Sequence, residues 1–316
     1  MSIITFWNDT REQTGRTLTS VAVATRMAIE RNSKILLIST SIADSTLKKC
    51  FWGEENKKNN FLGTKTSNIA VENGIEGLLK LVTSNKLEPS IITDYTKVVF
   101  KGRLEILPGA TGTKGRSLEG NLEDLKKQQE YYPELIRMAN QYYDIVIVDL
   151  DKMITTKVKE EILKISDVNV FVLSQKMESI NRYSELKQMN QDLMKNRCIP
   201  VIGKYINNYK YNSKNIARFL QERKEMDLMP FNLLYMEAAE EANVADLLLK
   251  LKNVKDKTDE NYIFMDCVLK LTNNILKKLQ DLQMRMRWKN VNNKYIINNC
   301  CYYICRSRVG IFFKEK

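Results

Sequence analysis

Residues 2–39 read SIITFWNDTREQTGRTLTSVAVATRMAIERNSKILLIS. Ser2 to Trp7 is a short, mostly β-branched and aromatic run of the kind that forms a buried strand. Leu18 to Glu30 is an apolar helix candidate, and Ile35 to Ile38 is a second apolar strand. Between the first strand and the helix lies Asn8-Asp9-Thr10-Arg11-Glu12-Gln13-Thr14-Gly15-Arg16-Thr17. A strand, a loop and a helix opened by a Gly-basic-Thr triplet have the layout of a phosphate-binding loop, where backbone N–H groups at a helix start receive an anion. The glycine-rich bend and the lysine that such a loop uses are missing.

Outward from this unit, apolar strands alternate with helix-period segments. Strands are expected near residues 2–7, 35–39, 104–107, 144–149, 168–174 and 200–205. Helices are expected near 15–32, 74–84, 120–141, 156–165, 178–195, 213–223 and 236–251. This alternation predicts an α/β fold: a doubly wound, mostly parallel sheet with helices on both faces. Residues 48–72 and the glycine-containing stretch 109–120 read as loops.

Several of these segments, taken in order, resemble the ParA/MinD family of deviant Walker-A P-loop ATPases, whose loop follows K-G-G-x-G-K-T/S. Arg11 falls at the signature lysine, Glu12 and Gln13 at two glycines, Gly15 at the third, Arg16 at the main lysine and Thr17 at the Mg²⁺-binding hydroxyl. The likeness continues through Gly74–Leu79, Leu104–Gly109, Tyr143–Leu150, Ser166–Leu173 and Pro200–Asn207, and covers about residues 1–255. Tyr143–Leu150 is similar to the Walker-B strand. The family's acidic run after the second strand is replaced by Ser39-Thr40-Ser41, and its switch segment by Leu150-Asp151-Lys152-Met153. The Val148-Asp149-Leu150 form with an altered loop is most like the TadZ/CpaE branch, relatives that place pilus-assembly or secretion machinery.

The resemblance implies ATP with Mg²⁺ as cofactor, with Arg11, Gly15, Arg16 and Thr17 at the nucleotide and Thr17 and Asp149 at the metal. The residue types argue against it. Glu12 and Gln13 would cost about 1–2 kcal/mol each in a left-handed conformation. Glu12 at ~4 Å from a phosphate oxygen would repel it by about 4 kcal/mol at an effective dielectric near 20. A planar guanidinium does not reach between two phosphates as a compact ammonium does. Glu12 is expected to pair with Arg11 or Arg16, and Asp149 to bond Thr17 or loop amides. The primary expectation is a ParA/MinD-like scaffold with a degenerate nucleotide site, TadZ/CpaE-like in role, binding protein partners of an assembly or secretion machine and forming a homodimer. One alternative is a functional ATPase in plasmid or chromosome partitioning. The other is a DNA- or membrane-binding module acting through the C-terminal tail.

Composition bounds these readings. With 316 residues, 43% of them hydrophobic and 28% charged, the chain has the make-up of a large α/β domain with a tail. There is no histidine, which excludes Ser-His and Cys-His catalysis. Cys300, Cys301 and Cys305 cluster without a fourth nearby thiol, so a zinc site is not expected. No apolar run has the ~18–20 residues that span a bilayer, and the first strand begins at Ser2, so a cytoplasmic protein is expected, peripheral at the membrane's inner face if the tail binds lipid.

Residues 258–286 form a helix candidate with Phe264, Val268, Leu271, Ile275, Leu279, Leu282 and Met286 on one face. The division expected is 1–286 as the ParA/MinD-like domain and 287–316 as a basic tail without regular structure. From Arg285 onward the chain carries +7 of the total formal charge of +12.

Overall fold

The computed structural model describes residues 1–42, 44–53, 74–110, 127–191, 193–222 and 225–308, with side chains as far as Arg285. It divides into two compact units, Met1–Ile275 and a second beginning at Leu276. The first unit is built on an eight-stranded sheet. Its strands are β1 (Ser2–Trp7), β2 (Ile35–Ser39), β3 (Lys97–Phe100), β4 (Leu104–Leu107), β5 (Ile145–Asp149), β6 (Val168–Leu173), β7 (Cys198–Tyr205) and β8 (Asp227–Pro230). The spatial order is β3-β4-β2-β5-β1-β6-β7-β8, and every pair is parallel except β3 with β4.

Every residue of β1, β2, β5 and β6 is buried, as strands covered on both faces require. On one face Ile3, Trp7, Leu36, Val146, Val148 and Phe171 pack under α3 (Ile75–Thr83), α5 (Tyr132–Ala139), α6 (Thr156–Ile165) and α7 (Met177–Met189). Trp7 meets the Phe171 ring edge-on at 4.9 Å, and Phe171 meets Tyr183 at 5.2 Å. Burying each such side chain contributes roughly 1.5–3 kcal/mol. The opposite face is covered by α1 (Arg16–Glu30), whose Ser20, Ala22, Ala24, Thr25 and Ala28 are small enough to let it sink onto the sheet, buried nearly all round. Above α1 lie α9 (Leu233–Glu240), α10 (Val244–Leu251) and the first turns of α11 (Glu260–Arg308). Tyr235 of α9 lies against Phe264 of α11 at 4.9 Å, and Val268, Leu271 and Ile275 are buried with them.

The remaining short helices are α2 (Thr46–Lys49), α4 (Ile92–Tyr95) and α8 (Ser213–Phe219). The six expected strands are all present within two residues. Two further strands, β3 and β8, are the sheet's edges: short and half-exposed, with apolar runs of only three (Val98–Phe100) and two (Leu228, Met229) residues before Pro230. The helix expected at 236–251 is two helices. Ala242 has a left-handed backbone (φ 61°), and the Asn243 amide donates back to the Ala238 carbonyl, a C-capping turn built without glycine. The helix expected at 178–195 ends at Met189 and is followed by a π-turn, Leu193–Arg197. Of the segment 120–141, the described part is a 3₁₀ turn, Gln129–Tyr131, leading into α5. Most of the two loops read at 48–72 and 109–120 lies outside the described residues. The last helix does not end near 286 but runs to Arg308. No Pro or Gly interrupts 287–308, and helix propagation needs only successive backbone bonds, not an apolar stripe.

Candidate functional site

The site lies at the carboxyl ends of the strands, where β1, β5 and β6 release their loops around the start of α1, the place at which open α/β sheets bind ligands. The β1 loop is folded on itself by Asn8, whose Nδ2 donates to the carbonyls of Thr10 (3.1 Å) and Glu12 (3.5 Å). It is also tied outward. Asp9 accepts from Lys159 Nζ at 2.5 Å and from Arg182 Nη2 at 2.6 Å, fastening the loop to α6 and α7. Burial works to raise the Asp9 carboxyl, but the hydrogen bonds and charges of Lys159 and Arg182 outweigh it and hold the pKa below the ordinary 3.8.

Glu12 pairs with neither Arg11 nor Arg16, contrary to expectation. It accepts from Ser174 Oγ (2.6 Å) and Lys176 Nζ (3.3 Å), both just past β6. Arg16 is committed elsewhere, and Arg11 is exposed, with its carbonyl accepting from Lys152 Nζ at 2.8 Å.

Arg16 is the centre of the arrangement. Its guanidinium is 8% exposed and faces four oxygen-bearing residues. Nε donates to Asp149 Oδ1 at 2.6 Å, Nη1 to Asn8 Oδ1 at 3.3 Å, and Nη2 to Thr17 Oγ1 at 3.4 Å and Asp151 Oδ2 at 3.5 Å. Thr17 Oγ1 donates to Asp149 Oδ2 at 2.8 Å. Burial by itself disfavours the Arg16 charge; Asp149 first and Asp151 second more than restore it, and its pKa lies above the ordinary value. Thr17 and Asp149, the two residues read as metal ligands, are thus brought together at hydrogen-bond distance, with a buried cation of the chain's own beside them. Asp151 in turn sets the segment after β5: its amide donates to Thr40 Oγ1 (2.8 Å), and its Oδ1 accepts from the Met153 amide (2.7 Å). Ser39 and Ser41 share a hydrogen bond at 2.9 Å at the end of β2.

Gly15 starts α1 in a left-handed conformation (φ 81°), and a Cβ there would stand 3.0 Å from Lys204 Cγ. Lys204, at φ 49°, lays its aliphatic stem across the loop from the end of β7. Gly203 brings β7 against the loop: a Cβ on it would lie 2.1 Å from the Thr14 carbonyl oxygen. Beyond Lys204 lies a half-open pocket lined by Gly15, Leu18, Pro230, Phe231, Asn232 and Tyr235. Tyr235 Oη donates across it to the Leu18 carbonyl at 2.7 Å.

Of the four residues read at the nucleotide, the structure gathers Gly15, Arg16 and Thr17 and leaves Arg11 at the surface. Asn8, Asp9, Lys159, Arg182 and Lys204 carry no motif; only their position in the fold joins them to the loop. Asp151 lies two residues past Asp149, and that position is the one local signal for it. Among the described residues no group of three or more Cys, Asp or Glu is placed to hold a metal ion, and no helix is long and apolar enough to cross a membrane.

No protein-family model and no curated protein sequence matches the chain. Solved structures do. A ParA family ATPase from Chlorobium tepidum superposes with a TM-score of 0.61 at 14% identity, covering 86% of this chain and 98% of that one. The septum site-determining protein MinD from Pyrococcus horikoshii, complexed with Mg-ADP, gives 0.58 at 14% identity over 87% and 95%. The MinC:MinD cell division complex of Aquifex aeolicus gives 0.55 at 15% identity over 86% and 96%. The sheet order, the loop at its centre and these superpositions agree: the chain has the ParA/MinD fold.

Proposed function

We propose that this chain is a ParA/MinD-like scaffold whose nucleotide site is filled by its own side chains and which works by binding protein partners. The observation that carries the reading is the Arg16 guanidinium, buried between Asp149, Thr17, Asn8 and Asp151. Mg²⁺ bound by Thr17 and Asp149 would stand beside that cation. At ~4 Å even a unit charge repels another by about 4 kcal/mol at an effective dielectric of 20, and a divalent ion by more. Binding would also break the Thr17–Asp149 hydrogen bond and expel the guanidinium from its only carboxylates. On the phosphate side, Glu12 supplies a negative charge anchored by Ser174 and Lys176. The residues present therefore do not fit Mg-ATP, and no hydrolytic step is assigned to them.

The same contacts hold the segment after Asp149 in one arrangement without nucleotide: Asp151 is fixed by Arg16, Thr40 and the Met153 amide. A protein so locked presents a constant surface to partners, as a localisation or assembly scaffold does. A role in positioning a pilus or secretion apparatus, as in TadZ/CpaE proteins, in the cytoplasm or at the inner face of the membrane, suits this chemistry. The test is calorimetric titration of ATP and ADP, with and without Mg²⁺, into the full-length protein. No saturable binding up to millimolar nucleotide is expected. Saturable micromolar binding would overturn the filled-site reading and return the chain to the ATPases.

A further inference from the structure

The carboxyl end of the sheet, which carries the Arg16 cluster, also carries a second surface, and the scaffold reading, on which this inference rests, gives it a use. β7 and β8 end side by side, Tyr205 beside Pro230, and the Phe231 amide donates to the Tyr205 carbonyl at 2.9 Å. Ile206 and Phe231 therefore stand together just past the strand ends, both at least half exposed. Tyr209 extends the patch along one segment, and Leu233 and Leu234 along the other; Leu233 is 62% exposed. A single exposed apolar side chain is ordinary, whereas five on two adjoining segments are the composition of a binding site.

Both segments are held by side-chain hydrogen bonds. The Gln175 side chain, 8% exposed, donates to the carbonyls of Ile206 (3.1 Å) and Tyr211 (2.8 Å) and accepts from the Ile206 amide (2.8 Å). Asn232 Oδ1 caps α9 through the Tyr235 amide at 2.8 Å, while its Nδ2 donates to Asn261. A patch fixed in advance loses little entropy when something docks on it.

Charge selects the occupant. The loops after β1, β5, β6, β7 and β8 contain three carboxylates, Asp9, Glu12 and Asp151, each already ion-paired within the chain. Arg11, Lys204, Lys210 and Lys214 form no ion pair with any described residue, and Lys210 Nζ rests 5.5 Å from the Tyr211 ring centroid. The face is thus apolar at its centre and cationic along Ile206–Lys214, with one carboxylate, the exposed Glu237, a turn beyond Leu233 and Leu234 on α9. A second copy docking through the same patch would bring more cations than carboxylates into the contact, since a two-fold interface is self-complementary.

We propose that Ile206–Tyr211 together with Phe231–Leu234 is a docking surface for a protein segment whose apolar side chains are flanked by Asp and Glu. The test pans a displayed library of random short peptides against the immobilised full-length chain without nucleotide. Enriched peptides are then titrated against wild type, Lys210→Glu/Lys214→Glu and Leu233→Ser. Enrichment of Asp and Glu beside Leu, Ile and Phe is expected, with roughly tenfold or greater loss of affinity in both variants and weakening by salt. The substituted positions are exposed, so both variants should melt with the wild type. Lys210→Gln/Lys214→Gln repeats the test without introducing negative charge. Failure to enrich any peptide, enrichment of basic or uncharged peptides, or binding indifferent to these variants would overturn the proposal. So would self-association of the wild type that Leu233→Ser abolishes. Nucleotide binding alongside normal peptide binding would sink the filled-site reading and leave the docking surface standing, so the two failures are separable.

Discussion

The loops after β1, β5 and β6 and the segments after β7 and β8 lie at the carboxyl end of one sheet, yet they use their polar groups in opposite ways. In the first region each carboxylate meets a cation of the chain: Asp9 with Lys159 and Arg182, Glu12 with Lys176, Asp149 and Asp151 with Arg16. In the second, side-chain amides hold the backbone, and the charges and apolar surfaces face outward. A region whose carboxylates are matched internally has none left for a metal ion, whereas one held by neutral hydrogen bonds keeps its charges for a partner.

Four changes break or sharpen this contrast. The largest effect is expected at Arg16. Arg16→Ala leaves Asp149, 1% exposed, without its counter-charge, and should cost about 3–5 kcal/mol in denaturant-unfolding free energy. Arg16→Met with Asp149→Leu should recover most of that loss, because an apolar pair of similar size removes both buried charges at once. A double variant no more stable than Arg16→Ala would show that the pair is not what holds the region.

Gly203→Ala comes next. Its methyl would meet the Thr14 carbonyl at 2.1 Å, where backbone faces backbone, and separating β7 from the loop should cost about 1–3 kcal/mol, read as a lowered melting temperature. Asp9→Asn should show a smaller and pH-dependent loss. The Asp9 carboxyl titrates below its unfolded value, so its stabilisation is fully present above pH 3.8 and is lost as pH falls through the folded pKa. The wild-type and Asp9→Asn stability curves should therefore converge on acidification; a constant gap would mean that the ion pairs with Lys159 and Arg182 are not the source. Smallest of all, Phe231→Ser should leave stability within about 0.5 kcal/mol, because that ring is exposed. A drop of several kcal/mol would mean that the second region is held together by its apolar groups.

The buried strands and α1 were legible because complete burial leaves a continuous apolar run that few other structures tolerate. The edge strands β3 and β8 were not, since half-exposed residues need no such pattern. The break at Ala242 escaped notice because a left-handed C-cap usually advertises itself with glycine. At the site, Gly15-Arg16-Thr17 and Asp149 could be located by motif, and the Thr17–Asp149 bond was anticipated. Glu12's partners were not, because Ser174 and Lys176 are distant in sequence and reach it only through the β1–β6 pairing.

By itself the sequence determined the parallel α/β sheet, the order of its central segments and the departure of the loop from a phosphate-binding pattern. Those properties follow from local composition and the two side-chain periodicities of strand and helix. Only the tertiary structure decided which charges meet: Arg16 with Asp149, Asp9 with Lys159 and Arg182, and Lys204 over Gly15. It likewise decided which apolar residues remain outside. Pairings between groups more than a hundred residues apart, such as Arg16 with Asp149, depend on strand order and register, so the chemistry of this end exists only once the sheet has assembled.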